Sequence, residues 1–285
     1  LNLKSTLLSI TSSEAEQEKT MNPLQSRYAN KVAVITGAGG GIGRAACVRL
    51  ASEGASIVAV DLDETALAET AELVEGAGAA VHSVIADVGD ASQVQQYVDE
   101  AVASFGGIDL LFNNAGIMGQ VAPLEELDEH VFDDLFRINI KSVWLGMRCV
   151  KSAMEARGGG AIINTASAAG LTATPTLFGY GASKHAVVGM TKTAAVEMAH
   201  LNIRVNCICP GIVETSMIRK IEDQSVSIGV VVSADEFKNS YNQRAPLGRY
   251  VRPSEVAALL AFLGSDEASM ITGESSVIDG GFLHS

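Results

Sequence analysis

The sequence predicts a single α/β domain, a doubly wound parallel sheet of about seven strands with helices on both faces. Three observations predict it. Short, nearly continuous apolar runs recur along the chain, as expected of strands covered on both faces. Between them lie segments with the 3.6-residue periodicity of amphipathic helices. No internal repeat or interdomain linker interrupts the alternation in 285 residues, so one layered core joined by right-handed crossovers is expected.

The elements follow in order. Residues 1–27 are expected to be a flexible extension. Their apolar patch at 7–10 gives way to Glu14, Glu16 and Glu18, which disfavours a signal or transit peptide. Met21 is a candidate start, with residues 1–20 an upstream extension. The first strand, 32–36, runs into five glycines between Gly37 and Gly43, and helix formers resume at Arg44. A second strand, 56–61, ends on Asp61, and a third covers 80–87. The clearest helix is 92–105, where Val94, Tyr97, Val98, Ala101, Val102 and Phe105 share one face. Ser92 is its expected N-cap, and Gly106-Gly107 stop it. Strands at 110–113, 161–167, 204–209 and 276–279 alternate with long helical segments around 129–156 and 179–200. The stretch 215–250 fits this rhythm poorly and is read as a helical lid or a loop, a length more often functional than idle.

Composition narrows the function. A net charge of −13, from 20 basic and 33 acidic residues, argues against nucleic acid and anionic membranes as partners. No apolar run approaches the ~18 residues of a membrane span. Cys47, Cys149, Cys207 and Cys209 form no C-x-x-C pair and the five histidines show no ligand spacing, so reduced thiols in a cytoplasmic protein and no metal are expected. Cys207 and Cys209 are placed on opposite faces of their strand.

The glycines have a chemical use. A strand-to-helix turn points free N–H groups and the helix dipole at the crevice beyond the sheet, where phosphate binds if side chains are absent. Asp61, about 20 residues after Gly41, is placed to accept hydrogen bonds from an adenosine ribose and to repel a 2′-phosphate. No arginine lies inside the glycine run. NAD is therefore expected rather than NADP. Tyr180 and Lys184, four residues apart, share one face of a helix. An ammonium about 5 Å from a phenolate is worth about 3 kcal/mol at an effective dielectric of about 20. That pulls the phenol down from its usual ~10 toward the range of a general base.

Thr36-Gly37-x-x-x-Gly41-x-Gly43, Asn113-Asn114-Ala115-Gly116, Ser167, Tyr180-x-x-x-Lys184, and Pro210-Gly211 with Thr215 occur in this order. So does the closing Ile271-Thr-Gly273 with Val277 to Gly281. Together they resemble the short-chain dehydrogenase/reductase family over most of residues 31–283. The resemblance implies a Rossmann fold and a catalytic set of Asn139, Ser167, Tyr180 and Lys184. Tyr180 exchanges the hydroxyl proton and Ser167 holds the substrate oxygen. Lys184 also binds the nicotinamide ribose, and Asn139 holds a water that links Lys184 to solvent. It further implies that NAD is held by Gly37, Gly40, Gly41, Ile42, Asp61, Leu62, Asp87, Val88, Asn114, Ala115, Tyr180, Lys184, Pro210, Gly211, Val213 and Thr215. Singly, Tyr180 and Lys184 would read as a snorkelling surface pair, Asn139 as a helix-bending residue and Ser167 as a turn cap. In one ordered set, the catalytic reading prevails.

A small-molecule substrate is expected, an apolar or cyclic secondary alcohol or ketone. Met118, the segment 168–178 and the lid would form its pocket, with Leu171, Thr174, Phe178, Met217, Ile218 and Ile221 as candidates. No arginine or lysine lies within 168–178 or 211–218, which disfavours an acidic substrate. The family assembles as a homotetramer, with a dimer as the smaller alternative. Val143, Trp144 and Met147 on one helix, and Val187, Val188 and Met190 on another, are read as faces for that assembly. The rival readings are an NADPH-dependent 3-oxoacyl-thioester reductase, an epimerase of an extended branch, and a non-catalytic NAD-binding regulatory protein.

Overall fold

The computed structural model describes residues 26–285. The expected extension, 1–27, lies outside them except for its last two residues. Arg27 there is pinned, pairing with Glu53 at 2.7 Å and Glu267 at 3.0 Å. Seven parallel strands form one sheet: β1 (Val32–Thr36), β2 (Ser56–Asp61), β3 (Val81–Ile85), β4 (Leu110–Asn113), β5 (Gly160–Thr165), β6 (Ile203–Pro210) and β7 (Ser275–Ile278). Their order is β3-β2-β1-β4-β5-β6-β7. The chain steps outward from β1 in one direction, returns, and steps outward from β4 in the other. The carboxyl ends of β1 and β4 therefore flank a crevice where the connections part, the position at which such sheets bind ligands.

Strand side chains alternate between two cores. Val32, Val34, Val58 and Val60 face one; Ala33, Ile35, Ile57 and Ala59 face the other. The first core is covered by α3 (Ala91–Phe105), α5 (Ser142–Ala156) and α6 (Phe178–Met198). The second is covered by α1 (Gly41–Ser52), α2 (Glu64–Gly76) and α9 (Pro253–Leu263). The same period of two corrects the reading of the β6 thiols. Cys207 and Cys209 lie on one face and Ile208 on the other, because residues two apart on a strand point the same way. The near-continuous burial expected of the strands holds in the middle of the sheet and fails at its edges, where β3 and β7 are half-exposed.

Helix ends follow local chemistry, with one shift. The side chain of Asp90, not Ser92, caps α3 by accepting from the N–H groups of Ser92 and Gln93. Gly106 ends that helix at φ +80°, a conformation that costs glycine little. The expected 129–156 helix is interrupted. Between α4 (Glu129–Leu135) and α5 lies a π-helical turn, Phe136–Lys141. At its end the Ser142 hydroxyl donates to the Ile138 carbonyl, a local bond that competes with the regular ladder. The 215–250 stretch contains two helices, α7 (Ser216–Ser227) and α8 (Ala234–Arg244). A parallel bridge between Val213 and Val251 ties its base.

Five of the six residues read as assembly faces pack within this chain. Val143, Met147, Val187 and Val188 are buried, Met190 is partly so, and only Trp144 is substantially exposed, at 47%. Among the described residues no helix is long and apolar enough to cross a membrane, and no group of three or more His, Cys, Asp or Glu side chains is placed to hold a metal.

Candidate active site

A cavity of about 740 Å³ opens at the carboxyl ends of the strands. One end is the glycine turn between β1 and α1. Gly40 precedes α1 and offers no side-chain cap, and the first turn of α1 holds no acidic residue, so its N–H groups face the crevice unshielded. A Cβ on Gly40 would meet no protein atom within 4 Å. Packing therefore does not explain this glycine, whereas a ligand seated on the turn does. Gly43 differs: a Cβ there would lie 2.0 Å from the Gly37 carbonyl oxygen, so close contact of helix and turn requires it.

Asp61, at the end of β2, also lines the cavity. Its carboxylate accepts from the N–H of Gly39 at 2.7 Å, of Leu62 at 2.7 Å and of Asp63 at 3.1 Å. The first of these bonds fixes the glycine turn against β2. Arg44, just beyond the glycines, is turned away. Its guanidinium donates to the Gly39 and Ala66 carbonyls and to Thr70, and pairs with Glu69 at 2.7 Å. Those partners leave it a clamp between turn and α2. The turn, the open space at Gly40 and the carboxylate at the end of β2 fit a dinucleotide.

Across the crevice, Thr36 joins β1 to the segment after β4. Its hydroxyl accepts from the N–H of Asn114 at 3.0 Å and of Ala115 at 3.1 Å, while the Asn114 amide donates to the Thr36 carbonyl at 3.0 Å. Asn114 thus lines the cavity with a side chain already engaged in holding the glycine turn. Behind it runs a buried polar chain. Asn113 donates to Asn164 at 2.9 Å, and Asn164 to Thr191 at 3.0 Å, linking β4, β5 and α6.

Ser167, Tyr180 and Lys184 line the same cavity. Ser167 follows β5 and caps the short turn Ala168–Gly170, its hydroxyl accepting from the Ala169 N–H at 3.1 Å. The turn-cap reading and the site reading therefore hold at once. Tyr180 and Lys184 are one turn apart on α6, with the Lys184 ammonium 5.6 Å from the centre of the Tyr180 ring. Lys184 is buried, and its Nζ donates to the Thr165 carbonyl at 2.8 Å. It is not a snorkelling surface residue.

Electrostatics correct one expectation. Burial pushes the Tyr180 phenol above its usual value; the neighbouring Ser167 hydroxyl opposes this without reversing it. Burial also pushes Lys184 down to about 8. The lowering of the phenol by Lys184 that its helical spacing suggested does not outweigh desolvation.

Asn139 stands behind the cavity wall, in the π-helical turn, where it is buried. Its amide nitrogen donates to the Ile117 carbonyl at 2.8 Å and to Ser183 at 3.0 Å, and its oxygen accepts from the Ile117 N–H at 2.9 Å. Gly37, Gly40, Gly41, Ile42, Asp61, Asn114, Ala115, Pro210, Gly211, Val213 and Thr215 are brought to the cavity. Leu62, Asp87 and Val88 are not part of that lining. Leu62 projects into solvent, Val88 is buried, and the Asp87 carboxylate pairs with Arg137 at 2.7 Å. Of the substrate candidates, Thr174, Met217, Ile218 and Ile221 line the cavity, whereas Met118, Leu171 and Phe178 do not.

Five further lining residues are not among the named candidates, although four of them lie within the segment 168–178 or the lid. Leu177 enters from the loop before α6, Phe237, Tyr241 and Arg244 from α8, and Phe282 from the turn after β7. One arginine does line the cavity: Arg244 reaches it from outside the windows 168–178 and 211–218, which hold no arginine or lysine.

Comparison with known proteins assigns the family. A family model described as enoyl-(acyl carrier protein) reductase matches residues 37–283. Levodione reductase of Leifsonia aquatica is 41% identical over 258 residues, covering 90% of this chain and 95% of its own. The chain belongs to the short-chain dehydrogenase/reductase family. Cyclohexanol dehydrogenase of Acinetobacter sp. (strain SE19) is 37% identical, with 91% and 97% of the two chains covered. The crystal structure of carveol dehydrogenase from Mycobacterium avium in complex with NAD superposes with a TM-score of 0.87 at 32% identity, covering 91% of this chain and all of that one. This short-chain dehydrogenase/reductase is an oxidoreductase of alcohols and ketones that uses a nicotinamide cofactor.

Proposed function

We propose that the enzyme transfers hydride between NAD(H) and an apolar, often cyclic, secondary alcohol or ketone, with Tyr180 as the proton-exchanging residue. One observation carries this reading. Tyr180, Ser167 and Lys184 open onto the same cavity as the glycine turn and Asp61. Bound NAD supplies the hydride acceptor, or in reverse the donor. The residues do the rest. The N–H groups at the start of α1 hold the pyrophosphate, and the Asp61 carboxylate holds the adenosine ribose and repels a 2′-phosphate. Lys184 and Tyr180 orient the nicotinamide ribose, and Ser167 holds the substrate oxygen beside the phenol.

Burial keeps Tyr180 protonated at neutral pH, which suits it to donate a proton to the oxygen of a ketone undergoing reduction. For alcohol oxidation the phenol must first lose that proton, and the Lys184 charge stabilises the resulting phenolate. Asn139 acts indirectly, fixing Ile117 at the cavity wall and Ser183 on α6. The names of the cyclohexanol, levodione and carveol enzymes support a cyclic substrate, and the complex of the last supports NAD. A homotetramer rests on family resemblance together with the exposed Trp144 on α5 and Val196 on α6. The Asp61 carboxylate, followed by Leu62-Asp63-Glu64 with no basic residue, favours NAD(H) over the NADPH-dependent thioester reductase reading.

The test is a screen of secondary alcohols and ketones against NAD(H) and NADP(H). Tyr180→Phe is made alongside it and should reduce turnover by roughly 100- to 10,000-fold while NAD affinity stays within about threefold. Undiminished turnover in that variant would remove the proposed proton exchanger.

A further inference from the structure

Among the described residues, three charged side chains line the cavity: Asp61, Lys184 and Arg244. Asp61 is engaged by three backbone N–H groups at the glycine turn, and Lys184 donates to the Thr165 carbonyl. Arg244 has no such employment. It stands in the last turn of α8, and no ion pair among the described residues includes it. Its guanidinium carbon lies 4.4 Å from the centre of the Phe282 ring, so the solvent-exposed group rests on an aromatic face. Tyr241, one turn earlier, stacks on the same ring at 4.7 Å and accepts a hydrogen bond from the Ile212 N–H at 3.2 Å. The arginine is thus mounted on a braced part of the lid. The neighbouring lid wall is apolar, with Met217, Ile218, Ile221 and Phe237. A planar cation with five donors, resting beside an apolar wall and in no ion pair among the described residues, matches the paired oxygens of a carboxylate.

We propose that Arg244 is a specificity-determining residue that binds a carboxylate carried on the part of the substrate facing the lid, the remainder of that substrate being apolar. The preferred substrates are then oxo or hydroxy acids with a hydrocarbon spacer between the reacting carbon and the acid. This rests on the alcohol and ketone reading above and sharpens it.

The probes are 5-oxohexanoate, 7-oxooctanoate, 9-oxodecanoate and 4-oxocyclohexanecarboxylate, each paired with its uncharged methyl ester. Initial rates of NADH-dependent reduction are compared for wild type, Arg244→Met and Arg244→Lys. Methionine keeps a long apolar side chain against Phe282, and lysine keeps the charge. For at least one spacer, the ratio of kcat/KM for acid over ester should fall about 10-fold or more in Arg244→Met and less in Arg244→Lys. Raising the salt concentration should lower that ratio in wild type and leave it flat in Arg244→Met. A ratio that moves less than about twofold in Arg244→Met for every spacer overturns the proposal. The esters test the parent reading separately. If wild type reduces none of the eight compounds, the ketone reading fails; if it reduces the esters and the ratios stay fixed, only the role of Arg244 fails.

Discussion

Replacing Lys184 with methionine removes a buried ammonium that stands 5.6 Å from the centre of the Tyr180 ring, and keeps a straight side chain in its place. At that separation and an effective dielectric of about 20, the charge stabilises a phenolate by about 3 kcal/mol. This corresponds to roughly a hundredfold in the acid dissociation constant of the phenol. The direction follows from the chemistry. In the proposed role of Tyr180, alcohol oxidation consumes its deprotonated form, so the rate climbs with pH until the phenol has titrated. Burial raises the phenol and the Ser167 hydroxyl opposes it; without the ammonium the phenolate lacks its stabilising charge, and the climbing limb moves to higher pH. The variant should oxidise alcohols roughly 100-fold more slowly near neutrality and regain about tenfold per pH unit above it. Ketone reduction, which uses the protonated phenol, should lose less. A second mark comes from Lys184 itself, whose pKa is pushed down to about 8. Above that pH the wild-type ammonium is being lost, so wild type and variant should converge. The assay is kcat/KM for alcohol oxidation across the neutral and alkaline range, with NAD affinity measured in parallel. Two parallel profiles, displaced by one constant factor at every pH, would refute electrostatic support of the phenolate and leave Lys184 as a cofactor-positioning group.

Two further perturbations probe the cofactor end. Asp61→Asn keeps the shape but removes the charge, and the preference for NAD over NADP in kcat/KM should fall by about 10-fold or more; an unchanged preference would assign discrimination to another group. Gly43→Ala places a methyl 2.0 Å from the Gly37 carbonyl oxygen, and should destabilise the fold by about 1–3 kcal/mol and weaken NAD binding. Thermal melts and cofactor titration check both effects, and a variant with wild-type melting temperature and affinity would deny that this contact shapes the turn.

Sequence by itself determined the sheet, the glycine turn and three candidate side chains that meet at the cavity, Ser167, Tyr180 and Lys184. Their signals are local. Apolar runs mark strands whose two faces are both covered, a glycine cluster after a strand marks a turn that must approach something closely, and residues four apart on a helix must share a face. The limits of local reasoning appear at particular residues. Asp90 displaced Ser92 as a cap because a side chain two residues upstream reached the free N–H groups first. Val143, Met147, Val187 and Val188 looked available for assembly until the cores were seen to enclose them.

Tertiary structure alone decided the protonation balance and part of the cavity wall. The Tyr180 phenol is raised, not lowered, because desolvation depends on what surrounds the ring, which spacing along a helix does not report. Arg244 and Phe282 reach the cavity from the lid and from the far end of the chain. Nothing local to either residue foretells their meeting, since contacts between distant segments are set by how the layers pack and not by the neighbours of each residue in sequence.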